Sequence, residues 1–103
     1  MKPGVAIVGC GLIGIKRANT LDDMVLRVCV DVDLVKAEAL ASRFQGCRPM
    51  TDWRDAVNDK QVGVVIVATP HNSLAEITAG AIAAGCHVLV EKPAARFMQS
   101  WVP

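Results

Sequence analysis

The sequence predicts an α/β domain, a doubly wound parallel sheet of strand order 3-2-1-4-5, on three observations. Short β-rich runs alternate with helical patterns as far as Pro93, the signature of repeated strand-helix-strand units. One run, "VGVVIVA" from Val62 to Ala68, is β-branched and apolar on both faces, as a central parallel strand must be. Three glycines, Gly9, Gly11 and Gly14, interrupt the first strand-to-helix junction. Right-handed crossovers then give the order stated, with ligands expected at the carboxyl ends of the strands.

Val5 to Val8 is a continuous apolar run of strand length, and Leu12, Ile15, Ala18 and Leu21 follow at about one-turn spacing as a buried helix face. Leu26 to Val30 reads as the second strand. Asp33 is placed to cap a helix whose Ala37, Leu40, Ala41 and Phe44 make one apolar stripe. Arg48 to Met50 fits a short edge strand, and Trp53 to Val57 a brief helix. Ser73 and Glu76 stand at capping-box spacing before Leu74, Ile77, Thr78 and Ala81, and Gly85 offers a left-handed cap, so a helix is expected from Ser73 to Ala84. "HVLV", His87 to Val90, is the fifth strand, and it runs into Glu91, Lys92 and Pro93.

Composition narrows the function. The 103 residues have room for one domain. Hydrophobic residues make up 52% and aromatics only 4%, which suits a buried sheet covered by small-residue helices. The 11 basic and 10 acidic residues are scattered, for a net charge of +1, so no footprint for nucleic acid or an anionic membrane is present. A small-molecule partner is expected. No apolar run approaches the roughly 18 residues of a membrane span, and "MKPGVAIVG" has no cleavable-signal pattern; the expected location is cytoplasmic. Cys10, Cys29, Cys47 and Cys86 lie far apart without C-x-x-C spacing, which reads as reduced, mostly buried thiols and no metal site.

The glycines form G-x-G-x-x-G, and Asp31 follows the second strand about 20 residues on. Each glycine has a steric role in a dinucleotide site: Gly9 allows the tight turn, Gly11 lets backbone approach a pyrophosphate, and Gly14 lets helix pack closely on strand. The helix start near Leu12 and Ile13 would offer free N–H groups and the positive end of its dipole to the phosphates. Asp31 would accept hydrogen bonds from the 2′ and 3′ hydroxyls of a ribose and repel a 2′-phosphate, favouring NAD over NADP. Val32 puts no base beside it, although Arg43 or Arg17 could approach in the fold. The alternative is a purely structural turn with Asp31 a solvated strand end.

A second stretch, "VATPHNSLAEITAGAIAAGCHVLVEKPAA" from Val67 to Ala95, together with "GCGLIG" and "VDVD", resembles the N-terminal domain of the Gfo/Idh/MocA oxidoreductases, the family of glucose-fructose oxidoreductase and inositol dehydrogenase. The resemblance covers about residues 3 to 95, the whole of the predicted 1–95 dinucleotide-binding Rossmann domain. It implies a pyridine-nucleotide enzyme that oxidises a sugar or cyclitol hydroxyl, or reduces the ketone. Lys92 matches the family's E-K-P lysine, which implies a catalytic group that hydrogen-bonds the reacting hydroxyl, with Glu91 and Pro93 shaping its loop. A cation there can stabilise a developing alkoxide as hydride leaves. Thr69, Pro70 and His71 match the loop after the fourth strand, which lines the cofactor cleft. There the chain departs from the usual pattern: His71 stands where asparagine is frequent and Leu74 where histidine is.

The family's second domain, which supplies the substrate pocket and further catalytic groups, has no counterpart in these residues. The tail over 96–103, "RFMQSWVP", departs from the family's next helix, and its Phe97, Trp101 and Val102 would be free for self-association. The chain therefore reads as truncated before the second domain, binding NAD without appreciable turnover. The alternative is a stand-alone nucleotide-binding or interaction module; a methyltransferase on a similar sheet fits Lys92 and the glycine register less well.

Overall fold

The computed structural model describes residues 4–69 and 73–91. Among the described residues nine elements alternate: β1 (Gly4–Val8), α1 (Leu12–Ala18), β2 (Val25–Val30), α2 (Leu34–Ala41), β3 (Arg48–Met50), α3 (Trp53–Val57), β4 (Val64–Val67), α4 (Leu74–Ala83) and β5 (His87–Val90). The five strands form one sheet in the order β3-β2-β1-β4-β5, and every pairing is parallel. The predicted fold class and strand order hold, as do the bounds of β3, α3 and β5.

Strand periodicity distributes the core. Val5 and Ile7 of β1 point to one face with Ile66, where Ala18, Leu21, Ala37, Leu40 and Ala41 pack from α1, the turn after it and α2. Ala6 and Val8 point to the other face with Val65 and Val67, against Ala56, Val57, Ile77 and Ala81 of α3 and α4. Neighbouring side chains on a strand alternate faces, so both faces of an apolar strand must be covered. The continuous apolar runs are the consequence. β2 breaks the alternation once: Val5 pairs with Leu26 but Ala6 pairs with Val28. The skipped Arg27 puts Leu26 and Cys29, three residues apart, on the same face.

Two helix starts differ in mechanism. Asp33 caps α2 as expected, its side chain accepting from the Val35 amide at 3.0 Å. Ser73 does not cap α4: it already has helical backbone angles and makes no side-chain cap bond. Glu76, its expected partner, instead binds Arg54 on α3 at 2.9 Å, so the S-x-x-E spacing serves a helix-helix ion pair. Gly85 ends that region with φ +88°, the left-handed geometry predicted. Gly80 of α4 lies so close to α3 that an added Cβ would stand 2.4 Å from the Trp53 ring, which fixes Trp53 beside the strand ends.

Candidate dinucleotide site

The site is built from the first strand-to-helix turn. Gly9 has φ +103°, a conformation that L side chains rarely adopt. Its amide donates to the Val30 carbonyl at 2.7 Å, locking the turn to the end of β2. A Cβ at Gly9 would also lie 2.7 Å from the Ala68 carbonyl carbon. Gly14 is closed more tightly: its Cβ would stand 1.9 Å from the Gly9 carbonyl oxygen, so helix and turn touch only because the residue is glycine. Gly11 is different. It has φ −80° and an added Cβ would meet nothing within 4 Å, so its bare backbone faces open space.

The first intrahelical bond of α1 runs from the Ile15 amide to the Gly11 carbonyl at 2.9 Å. The amides of Leu12, Ile13 and Gly14 precede it and have no intrahelical acceptor, as at any helix start. They meet the positive end of the helix dipole at the carboxyl end of β1.

Asp31 stands across from this turn at the end of β2 and is wired into it. Its Oδ2 accepts from the Cys10 amide at 2.8 Å, and its Oδ1 accepts from the Asp33 amide at 2.9 Å. The carboxylate thus braces the glycine turn against the start of α2 and keeps further lone pairs on both oxygens. Gly9, Gly11, Asp31 and Thr69 line one cleft of about 390 Å³ at the carboxyl ends of the strands. Leu12 faces a neighbouring hollow of about 360 Å³ that shares Gly11 with the cleft. It is 80% exposed, contrary to the buried face expected of it, because it lies in the first turn, where α1 projects past the strand ends.

Ile13 and Glu91 lie together on the other side of α1, lining a hollow of about 430 Å³. The Glu91 amide donates to the Val67 carbonyl at 2.9 Å, continuing the β4–β5 ladder. Its carboxylate pairs with Arg17 of α1 at 2.6 Å, which ties the exit of β5 to the glycine-bearing helix. Pro70, His71 and Lys92, and the tail from residue 96, lie outside the described residues.

Two cleft residues escaped the sequence reading. Trp53 closes one side of the cleft and Lys36 lines it from α2. Lys36 also lines the hollow beside Leu12, together with Arg43. Lys36 stands five residues beyond Asp31, on the first turn of the next helix, and that helical placement is the signal that could have found it. Arg17, considered beside Asp31, is committed to Glu91 instead.

The family model described as "Oxidoreductase family, NAD-binding Rossmann fold", Gfo/Idh/MocA, matches residues 4–101. An inositol 2-dehydrogenase of Pseudarthrobacter chlorophenolicus is 32% identical over 93 residues, 86% of this chain and 28% of the relative. A levoglucosan dehydrogenase of Pseudarthrobacter phenanthrenivorans is 38% identical over 72 residues, 70% of this chain and 18% of the relative. Among solved structures, GenD2 from gentamicin A biosynthesis, crystallised with NAD, superposes with TM-score 0.83 at 43% identity, over 89% of this chain and 27% of that one. The chain thus spans under a third of the length of these relatives. With its residues 4–101 matched, it belongs to the Gfo/Idh/MocA oxidoreductase family, as the NAD-binding Rossmann domain of that family.

Proposed function

We propose that the chain is the cofactor-holding part of an oxidoreductase that passes hydride between NAD and a hydroxyl or ketone carbon of a sugar or cyclitol. The observation that supports this reading most is the pairing of an open backbone at Gly11 with a braced carboxylate at Asp31 across one cleft. The closed contacts at Gly9 and Gly14 hold that arrangement, while Gly11, of these three, is free of neighbours. A diphosphate fits there without meeting a side chain, next to the amides of Leu12, Ile13 and Gly14.

In this reading Asp31 takes the adenosine ribose hydroxyls, Thr69 lines the cleft, and Pro70 and His71 are assigned to the cofactor on the family resemblance alone. Glu91 orients the exit of β5 toward Lys92, whose ammonium would hold the substrate oxygen and its proton. When bound, the nicotinamide accepts or donates the hydride. Inositol and levoglucosan dehydrogenases among the relatives favour a polyol substrate. The relatives are more than three times longer than this chain, and the groups that position a polyol are expected beyond these residues. Binding without appreciable turnover is the expected behaviour of the 103 residues alone.

NAD is the preferred cofactor because the Asp31 carboxylate would repel a 2′-phosphate. Titration calorimetry with NAD, NADP and S-adenosylmethionine tests the reading. Binding of NAD, weaker binding of NADP and none of S-adenosylmethionine is expected, with no NADH formed when inositol is added. Binding of S-adenosylmethionine alone would point to a methyltransferase, and binding of none to an interaction module.

A further inference from the structure

Four cysteines widely separated in the sequence do not stay separate. The sulfurs of Cys29 and Cys47 lie 3.4 Å apart, 18 residues distant along the chain. Sheet register explains the approach. Pro49 of β3 pairs with Cys29 of β2, and Cys47 stands two residues before Pro49. Positions two apart on an extended chain project to the same side, so both thiols emerge toward α1 and α2, in the same core cluster. A disulfide needs the sulfurs only roughly 1.4 Å closer.

The two thiols differ in a way that assigns roles. Cys29 is fully buried, whereas Cys47 is only partly buried. The hydrogen bond shared with the Cys29 thiol, together with the positive charge of Arg48, outweighs burial and holds the Cys47 thiol below its usual range. Hydrogen bonding with the Cys10 and Cys47 thiols, and burial, hold Cys29 protonated. Cys47, the less buried of the pair, therefore meets an oxidant first, with Cys29 sheltered behind it.

We propose that Cys29 and Cys47 are an oxidation site, a thiol pair that hydrogen peroxide converts to a disulfide joining β2 to the entry of β3. The Cys47 thiolate attacks the peroxide: an S–O bond forms, the O–O bond breaks, and the departing oxygen leaves as water after taking a proton. Cys47 is then a sulfenic acid, oxidised by two electrons. The Cys29 sulfur attacks the Cys47 sulfur, the S–O bond breaks, and the hydroxyl leaves with the Cys29 proton as a second water. The ring so closed contains Asp31, Lys36 and the whole of α2, the wall of the cleft that faces the ribose.

The test uses the fully reduced chain, one equivalent of hydrogen peroxide, alkylation in denaturant and mass spectrometry of tryptic peptides; lysines and arginines place the four cysteines in four different peptides. The expected product links the Cys29 and Cys47 peptides, with Cys10 and Cys86 recovered alkylated. Protein unfolded in urea before the same treatment should lose that preference. In Cys29→Ala, Cys47 should become trappable by dimedone. The proposal is overturned if folded wild-type protein yields Cys29 alkylated with Cys47 free or as sulfinic acid. It is equally overturned by Cys29 joined to Cys10 or by Cys47 joined between chains. The wild-type arm decides even if the variant fails to fold.

Discussion

The Cys10 amide and the Asp31 carboxylate are joined by a 2.8 Å hydrogen bond across 21 residues. The bond makes the glycine turn and the tip of β2 one unit, and the second oxygen of Asp31 extends that unit to the Asp33 amide. A residue expected to hold a ribose therefore also shapes the loop that would hold the diphosphate.

Removing it should affect both roles. Asp31→Ala is expected to weaken NAD by about 1–3 kcal/mol, the scale of charge-assisted hydrogen bonds, and to lower the Tm of the free protein. Asp31→Asn retains one acceptor oxygen and should lose less stability than Asp31→Ala while still losing affinity. Calorimetry with NAD and thermal melts separate the effects; unchanged affinity in both variants would remove Asp31 from the site.

Gly11 and Gly14 make opposite predictions. Gly11→Val adds its side chain in open space at an ordinary φ, so Tm should stay close to wild type while NAD binding is lost. Gly14→Ala places a Cβ 1.9 Å from the Gly9 carbonyl oxygen, and overpacking of that kind costs about 1–3 kcal/mol or more. It should destabilise the chain before any ligand is added. Melting curves beside NAD titrations check both; a Gly11→Val protein that binds normally would show that the turn faces no ligand.

Lys36 bears on cofactor choice. Lys36 lines the cleft that Asp31 lines, and its charge there would offset the carboxylate's repulsion of a 2′-phosphate. Lys36→Ala is expected to weaken NADP by roughly 3- to 10-fold, on the scale of a partly exposed ion pair, and to change NAD less. Paired titrations give the NADP-to-NAD ratio, which should fall; an unchanged ratio would place Lys36 away from the phosphate.

Stability should also depend on Asp59. The Gln61 amide, foremost, holds its carboxyl below the usual carboxylate range; burial opposes it, and the Arg48 guanidinium adds to the lowering. A folded-state value lower than the unfolded one stabilises the protein above the unfolded pKa of about 3.9, and the benefit fades as pH falls through the folded value. Asp59→Asn should therefore melt below wild type at pH 6, with the gap closing toward pH 3. A gap that is constant across that range would contradict the assignment.

The sheet was legible in the sequence because strands buried on both faces leave uninterrupted apolar runs, as at Val64–Val67, and because G-x-G-x-x-G marks the turn after β1. What was not legible depends on contacts between distant residues. Leu12 matched the apolar spacing of α1, yet its position past the strand ends leaves it exposed. Ser73 and Glu76 had the spacing of a capping box, but Glu76 bonds Arg54, 22 residues away, instead. Cys29 and Cys47 meet only through the β2–β3 register, and Lys36 and Trp53 enter the cleft only once α2 and α3 are folded over the sheet. Of the candidate site, Gly9, Gly11, Asp31 and Thr69 fall in one cleft, whereas Ile13 and Glu91 line the opposite flank of α1.

The most direct measurement is a crystal structure of the chain grown with NAD. The diphosphate should lie over Gly11 against the amides that open α1, with a ribose hydroxyl within hydrogen-bond distance of Asp31. A dinucleotide bound elsewhere, for example in the hollow beside Arg17 and Glu91, with Asp31 bonded only to Cys10 and Asp33, would contradict the account.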